Sequence, residues 1–203
     1  MLDLLLWLLI AYLIGSIPWG LIIGKLFFNK DIRNYGSGNL GGTNAGRVLG
    51  TPIGIIVIIL DASKALLCML LCYKFNSNIV QYVGVAVCIG HCFPIFANFK
   101  GGKAVAASYG YLFALALLVT NEWFYTFICP LAVFLITLAL RKMVSLASII
   151  GVSSAAIFIL NAVDSNLSLL VFALSLLVMY RHKANLERIQ NGTEPKIFEK
   201  RSK

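Results

Sequence analysis

Charge is scarce in this chain. Only 12% of its 203 residues are Asp, Glu, Lys or Arg, whereas 60% are hydrophobic. A soluble domain of this size exposes a largely polar surface and needs about twice that share of charge. Short alternating segments, the mark of a membrane β-barrel, are missing. So are low-complexity tracts, a soluble domain and the paired halves that many transporters carry. What is present is a series of apolar runs of roughly 20 residues, the length a helix needs to cross the hydrocarbon core. Lipid offers backbone groups no hydrogen bonds, so only helices and closed barrels span it. The continuous runs select helices.

Acidic residues are fewer than basic ones, 8 against 17 Lys+Arg. Such a surplus can signal nucleic acid, but here the basic residues flank the apolar runs, so no nucleic-acid partner is expected. The five cysteines, Cys68, Cys72, Cys88, Cys92 and Cys129, fall inside apolar runs and read as small buried hydrophobes, not as a disulfide framework. Cys88 and Cys92 flank His91, but a fourth ligand is not evident and no metal or other cofactor is expected. The first segment, opening Met1-Leu2-Asp3, lacks a basic n-region. Its apolar run is too long for a signal peptide and no small-residue cleavage site follows, so it is read as retained.

The expected architecture is an all-α integral membrane protein, a bundle of seven transmembrane helices. The spans are placed at 4–27, 52–73, 79–97, 104–120, 123–140, 144–160 and 167–180. Lys25, Lys30, Arg33 and Arg47 lie in the first connection, Lys100 and Lys103 in the third, Arg141 and Lys142 in the fifth. The tail adds Arg181, Lys183, Arg188, Lys196, Lys200, Arg201 and Lys203. The opposite side carries Lys74 with Asp3, Glu122 and Asp164. The positive-inside rule then puts the N-terminus outside and the C-terminus in the cytoplasm. Asp61 and Lys64, three apart on the second span, share a helix face and can pair. Charge at that depth normally points into the bundle, where the pair serves either to join helices or to function.

Three polar clusters fall on the expected cytoplasmic side. The first connection, 29–50, is long, and loops of that length are usually functional or disordered. Its core, Gly36 through Arg47, mixes glycines with Ser37, Asn39, Thr43 and Asn44. Glycine lets a backbone approach a ligand closely, successive amides can cradle an anion, and Arg47 offers a fork for phosphate. Gly36 to Gly41 also fits G-x-G-x-x-G, but no strand precedes it, so the dinucleotide context is missing. The second cluster runs from His91 through Lys103, with Pro94 disturbing the helix after His91. Lys100-Gly101-Gly102-Lys103 then opens the fourth span, where a helix N-terminus favours an anion. The third is the basic tail, Arg181 to Lys196. Both histidines, His91 and His182, sit in these clusters. Three anion-seeking clusters in a lipid setting point to an enzyme or carrier acting on a phosphorylated, lipid-related molecule.

At these clusters the sequence resembles the bacterial acyl-phosphate:glycerol-3-phosphate acyltransferase family of inner-membrane enzymes. The family's G-S-G-N-x-G-x-T-N-x-x-R is matched by Gly36 through Arg47. Its G-H-x-x-P-x-F-x-x-F-K-G-G-K is matched by Gly90 through Lys103, and R-H-x-x-N-[IL]-x-R followed by G-x-E-x-K-I by Arg181 through Ile197. The Asp61–Lys64 pair and the Val144-Ser145-Leu146 start of the sixth span also look similar. The departures are Ala104 where the family usually has Gly, Ala107 where Thr is common, and Gly42 and Gly46 in place of Ala and a larger apolar residue.

The resemblance implies a single transmembrane acyltransferase domain over 1–203, its cytoplasmic loops 29–50, 98–103 and 141–143 and its tail 181–203 forming the active-site face. It implies transfer of a fatty acyl group from acyl phosphate to glycerol 3-phosphate, giving lysophosphatidic acid and phosphate at a bacterial inner membrane. The partners are those two substrates, membrane lipid, and a functional link to the enzyme that makes acyl phosphate. The catalytic residues it implies are Ser37, Asn39, His91 and His182. Substrate contacts fall on Gly38, Gly41, Thr43, Asn44, Arg47, Lys100, Gly101, Gly102, Lys103, Ser145, Arg181, Asn185 and Glu194. Arg47, Lys103 and the glycine-rich backbone would hold phosphates, while Ser37, Asn39 and Asn44 would orient the hydroxyl or stabilise the oxyanion. Either histidine, or a substrate phosphate, would accept the proton. The alternative H-x-x-x-x-D acyltransferase pattern fails at His91, five residues before Phe96, and meets Glu187 from His182. A small lipid transporter shares the helices and basic clusters but should open polar groups to both sides.

Overall fold

The structure, a computed structural model, describes residues 2–197. Lys200, Arg201 and Lys203, counted above with the basic tail, lie outside the described residues. Every regular element among them is helical. Two compact units divide between Val119 and Thr120. The first holds α1 (Leu2–Gly15), α2 (Trp19–Phe28), α3 (Gly42–Leu49), α4 (Thr51–Phe75), α5 (Val80–Cys92) and α6 (Val105–Leu115). The second holds α7 (Cys129–Arg141), α8 (Val144–Ala162), α9 (Ser165–Arg181) and α10 (Lys183–Gln190).

Five helical stretches are long and apolar enough to cross a membrane: Leu2–Phe28, Thr51–Phe75, Ser77–Ala97, Phe124–Arg141 and Val144–Ala162. The bent pair α9 and α10 makes a sixth if it counts as one span, and Val105–Thr120 is apolar but shorter. These fall where the apolar runs place them. Leu2, Leu5, Leu6 and Leu9 of α1 are exposed, as suits a surface solvated by lipid tails. Cys68, Cys72, Cys88 and Cys92 are free and buried, and Cys129 is free and half-buried.

The first apolar run is not one straight helix. Pro18 has no N–H and breaks the ladder between α1 and α2. The break exposes carbonyls that lipid cannot satisfy. Those of Gly15 and Ile17 accept instead from the Lys64 ammonium of α4, at 3.1 and 3.0 Å. Membrane helices gain from close van der Waals packing through small residues. A Cβ on Gly15 would strike the backbone of Val87, and one on Gly90 the carbonyl of Tyr12, so α1 and α5 meet backbone to backbone.

The first connection, read as a long loop, folds more than its glycines suggest. Ile32–Asn34 forms a 3-10 turn and Gly42–Leu49 the helix α3. Ile32, Leu40, Ala45 and Val57 form a buried cluster with Leu21 and Ala97, and Val48, Leu49 and Ile53 pack against it. Burial of that apolar set outweighs glycine's low helix propensity. The glycines are there for contact: a Cβ on Gly42 would meet Gly54 O at 2.6 Å, and one on Gly54 would meet Gly46 Cα at 2.6 Å. Glycine at 42 and 54 thus lets α3 lie flat on α4, whereas a Cβ on Gly46 would make only ordinary contact, 3.5 Å from Gly54 Cα.

In the second unit α7 packs on α8 and α8 on α9. The chain bends by 63° between α9 and α10, at His182. The segment after α10 is docked, since Ile197 N–H donates to Lys142 O at 2.7 Å.

Candidate active site

Asn44 builds the first glycine-rich loop. It is buried on α3, and its Nδ2 donates to the carbonyls of Ile32, Tyr35 and Asn39 at 3.0, 3.2 and 3.0 Å. Its Oδ1 accepts from Ser37 N–H at 2.8 Å. Gly36 (φ +60°) and Gly38 (φ +70°) take the left-handed turns that wrap the loop around this amide. The Asn44 side chain thereby shapes the loop. Asn39 Oδ1 accepts from Gly41 N–H at 2.9 Å at the start of α3. Ser37, Gly38, Thr43 and Arg47 are exposed on the loop and helix so formed, and Gly41 is half-buried. The other cations there are not equivalent to Arg47. Arg33 holds Asp31 at 2.6 Å and Lys25 approaches it at 3.6 Å. The hydrogen bond from Arg33 holds the Asp31 carboxyl well below the usual range, at about 2. Arg47 makes no ion pair among the described residues, which leaves its fork for an external anion.

The second loop, 98–104, is strained. Asn98, Phe99 and Ala104 all have positive φ, at 55°, 58° and 57°, a conformation that costs an L-residue roughly 1–2 kcal/mol. Such strain collects at functional sites. Ala104 is the N-cap of α6, where the related pattern has glycine. We expect Ala104→Gly to stabilise the protein by about 1 kcal/mol after the entropic penalty of glycine, raising the unfolding midpoint by about 2–4 °C. A lower midpoint in a thermal melt would contradict this. Lys100 is exposed and Lys103 half-buried just ahead of α6, with Gly101 and Gly102 buried between them. Gly102 N–H donates to the carbonyl of His91 at 3.0 Å.

These two loops meet below their glycines. A small pocket is lined by Leu40 of the first loop, His91, Pro94 and Gly102 of the second, Asp61 of α4, and Gly15, Ile17, Pro18 and Trp19 at the break of the first span. His91 is buried at the end of α5, its Nδ1 3.1 Å from Lys64 Nζ and 3.4 Å from Asp61 Oδ1. Asp61 and Lys64 pair at 2.9 Å. The pair does join helices, as one reading held, and it also reaches the histidine of the second motif. Sequence reasoning missed that contact, as it missed Trp19. The available signal was Pro18: a broken membrane helix needs a donor, and Lys64 is the cation at the matching depth.

The second unit carries the third motif. His182 is buried at the bend, and its Nδ1 lies 2.8 Å from Val178 O. A carbonyl can only accept, so Nδ1 carries the proton and Nε2 is the basic nitrogen of the neutral ring. Ser145 Oγ and Asn185 Nδ2 each donate to Glu194 Oε1 at 2.7 Å, and Arg188 Nε donates to Oε2 at 2.8 Å. Burial opposes the charge on Glu194, but these hydrogen bonds and the Arg188 charge outweigh it and hold its carboxyl below the usual range. Both oxygens are engaged inside the protein. Glu194, Ser145 and Asn185 thus tie the tail to α8 and α10. Arg181 is half-buried at the end of α9.

The linkage has a definite sign. A lowered folded pKa gives stability that is complete above the unfolded value, about 4.3, and is lost as pH falls through the folded value. Glu194→Gln is therefore expected to lower the unfolding midpoint at pH 7 and to weaken its dependence on pH below about 4.5. Equal midpoints at pH 7 would remove the holding role.

A family model described as glycerol-3-phosphate acyltransferase matches residues 5–192. A glycerol-3-phosphate acyltransferase of Listeria monocytogenes serotype 4a (strain HCC23) is 49% identical over 199 residues, covering 96% of this chain and 97% of the relative. One from Enterococcus faecalis (strain ATCC 700802 / V583) is 46% identical, covering 94% and 90%. The crystal structure of PlsY (YgiH), an integral membrane glycerol 3-phosphate acyltransferase, in its glycerol 3-phosphate form is similar with a TM-score of 0.86 at 34% identity. It covers 96% of this chain and 95% of that one. The lysophosphatidic acid form of the same protein gives 0.82 at 33%, covering 95% and 94%.

Proposed function

We propose that this chain, which belongs to the glycerol-3-phosphate acyltransferase family, takes its acyl group from acyl phosphate at the cytoplasmic face of a bacterial inner membrane. It is a membrane acyltransferase of phospholipid synthesis that esterifies glycerol 3-phosphate to lysophosphatidic acid. The observation that carries the reading is the convergence on one pocket of Leu40 from the first glycine-rich loop with His91 and Gly102 from the second. Two phosphate-seeking loops side by side suit a reaction whose two reactants each carry phosphate. Seven spans with the N-terminus outside agree with the basic residues of 29–50, 98–103, 141–143 and the tail from 181 under the positive-inside rule.

Acyl phosphate is already activated, so the protein must hold two anions and remove a proton. Arg47 and Lys103 are the phosphate-binding cations, with Lys100, Gly101 and Gly102 supplying charge and backbone at the start of α6. Ser37, Asn39, Gly38, Gly41 and Thr43 provide hydroxyl, amide and backbone groups on the first loop, where a well-placed oxyanion donor is worth about 2.7–4 kcal/mol. His182 is the general base, a role supported by its Nδ1 hydrogen bond to Val178, which directs basicity to Nε2. The substrate hydroxyl oxygen attacks the acyl carbon as Nε2 takes its proton. The tetrahedral intermediate collapses, the bond from acyl carbon to phosphate oxygen breaks, and inorganic phosphate leaves. The enzyme that makes acyl phosphate is the expected functional neighbour.

Purified protein in detergent micelles, which enclose no compartment, is expected to form lysophosphatidic acid when given glycerol 3-phosphate and palmitoyl phosphate. A folded preparation that forms no ester, yet moves phosphorylated lipid once reconstituted in vesicles, would replace the enzyme with a transporter.

A further inference from the structure

The second loop is fastened to the end of α5 by backbone groups. Ala97 N–H and Phe99 N–H both donate to Pro94 O, at 3.1 and 2.9 Å, and Lys100 N–H donates to Ala97 O at 3.1 Å. Gly102 N–H returns to His91 O at 3.0 Å. A Cβ on Gly101 would strike the carbonyls of His91 and Cys92 and the Pro94 ring. The loop therefore lies against the last turn of α5 without clearance, and a shift of that turn moves the loop with it.

The last turn is not held by a continuing helix. In one, Ala97 N–H would donate to Phe93 O. Here it donates to Pro94 O, because Phe93 (φ −129°, ψ 61°) leaves helical geometry ahead of the proline. Phe93 O accepts instead from a side chain 81 positions earlier, the Tyr12 hydroxyl of α1, at 2.8 Å. The backbone of Tyr12 is itself fixed at this crossing. Its carbonyl accepts from Ser16 N–H at 2.9 Å and from Ser16 Oγ at 2.8 Å, and lies where a Cβ on Gly90 would fall. So Gly90 meets the Tyr12 backbone, and Phe93, three residues on, takes its hydroxyl. Removing that donor would leave the carbonyl at the base of the loop to find another, at a cost in free energy.

We infer that Tyr12 is a positioning residue for acyl transfer. Its hydroxyl pins the end of α5 to α1, and so sets where the Lys100-Gly101-Gly102-Lys103 loop presents backbone and cations to a substrate phosphate. Tyr12 acts through Phe93 and not by contact with substrate. A residue of the first span, outside all three polar motifs, thereby governs the second. The loop's phosphate-binding role rests on the acyltransferase reading above, whereas the anchoring rests on the contacts alone.

Tyr12→Phe keeps the ring and removes one oxygen. In the full-length variant in detergent, amide hydrogen exchange at Phe99, Lys100 and Gly102 is expected to quicken about tenfold, with α8 and α9 unchanged. With both substrates titrated, KM for one phosphate substrate is expected to rise about fivefold while kcat stays within about twofold. That split separates positioning from stability, since a variant that only unfolds more readily loses active enzyme, and hence kcat, at unchanged KM. Loop amides that exchange as in the wild type overturn the inference, as does exchange quickened equally throughout the chain. Wild-type KM for both substrates overturns it as well. Exchange needs no turnover, so wild-type protein without acyl transfer would overturn the activity and not the anchoring.

Discussion

Replacing His182 by alanine is expected to lower kcat by about 10²–10⁴-fold, the usual contribution of a general base. KM for both substrates should change little by comparison, because the phosphate-binding cations are untouched. The expectation follows from one contact. With Nδ1 donating to Val178 O at 2.8 Å, the ring cannot flip its tautomer without breaking a buried hydrogen bond, so Nε2 is held ready to accept. His182→Gln serves as the companion, since it preserves size and hydrogen bonding but has no titratable nitrogen. In the wild type the acidic limb of the pH–rate profile reports protonation of the base; in either variant that limb should disappear. A variant that is folded by its thermal melt and turns over at the wild-type rate would remove His182 as the base, leaving a substrate phosphate as the proton acceptor.

The single change Lys64→Met is expected to destabilise the protein by about 3–5 kcal/mol, the cost of breaking a buried ion pair by removing one partner. Asp61 would keep a charge in an environment that does not tolerate one. The carbonyls of Gly15 and Ile17 would lose the donor that makes the break at Pro18 tolerable. Denaturant unfolding in detergent measures the loss. Asp61→Asn/Lys64→Met should recover part of it by removing the orphaned charge, and that partial recovery separates the electrostatic share from the share due to the carbonyls. Indistinguishable stability of Lys64→Met and wild type would mean that the first span is held by packing alone.

Much of this arrangement was legible in the sequence because lipid simplifies the problem. Apolar runs of spanning length can only be helices, and α4, α5, α7 and α8 lie close to where 52–73, 79–97, 123–140 and 144–160 place them. The three motifs were legible as anion-seeking because glycine, amide and guanidinium groups recur at short spacing. Harder to see was which groups build the loops and which face outward. Asn44 and Glu194 look like binding residues by type, yet the one is enclosed by carbonyls and the other by donors. Only the fold brings those partners near. Glycine also has two meanings that a sequence does not separate. Gly36 and Gly38 turn the chain at positive φ, whereas Gly42 and Gly54 bring one helix against another. Reading all of them as close approach to a ligand hid α3. The reach of Lys64 to His91 spans 27 positions and depends on a helix break that hydropathy averages away.

The most direct test of the account is to measure inorganic phosphate and lysophosphatidic acid together, using purified protein, glycerol 3-phosphate, and either palmitoyl phosphate or palmitoyl-CoA as donor. Equal amounts of phosphate and lysophosphatidic acid from palmitoyl phosphate, with little ester from the thioester, are predicted. Ester formed from palmitoyl-CoA at a comparable rate, or phosphate released without ester, would contradict it.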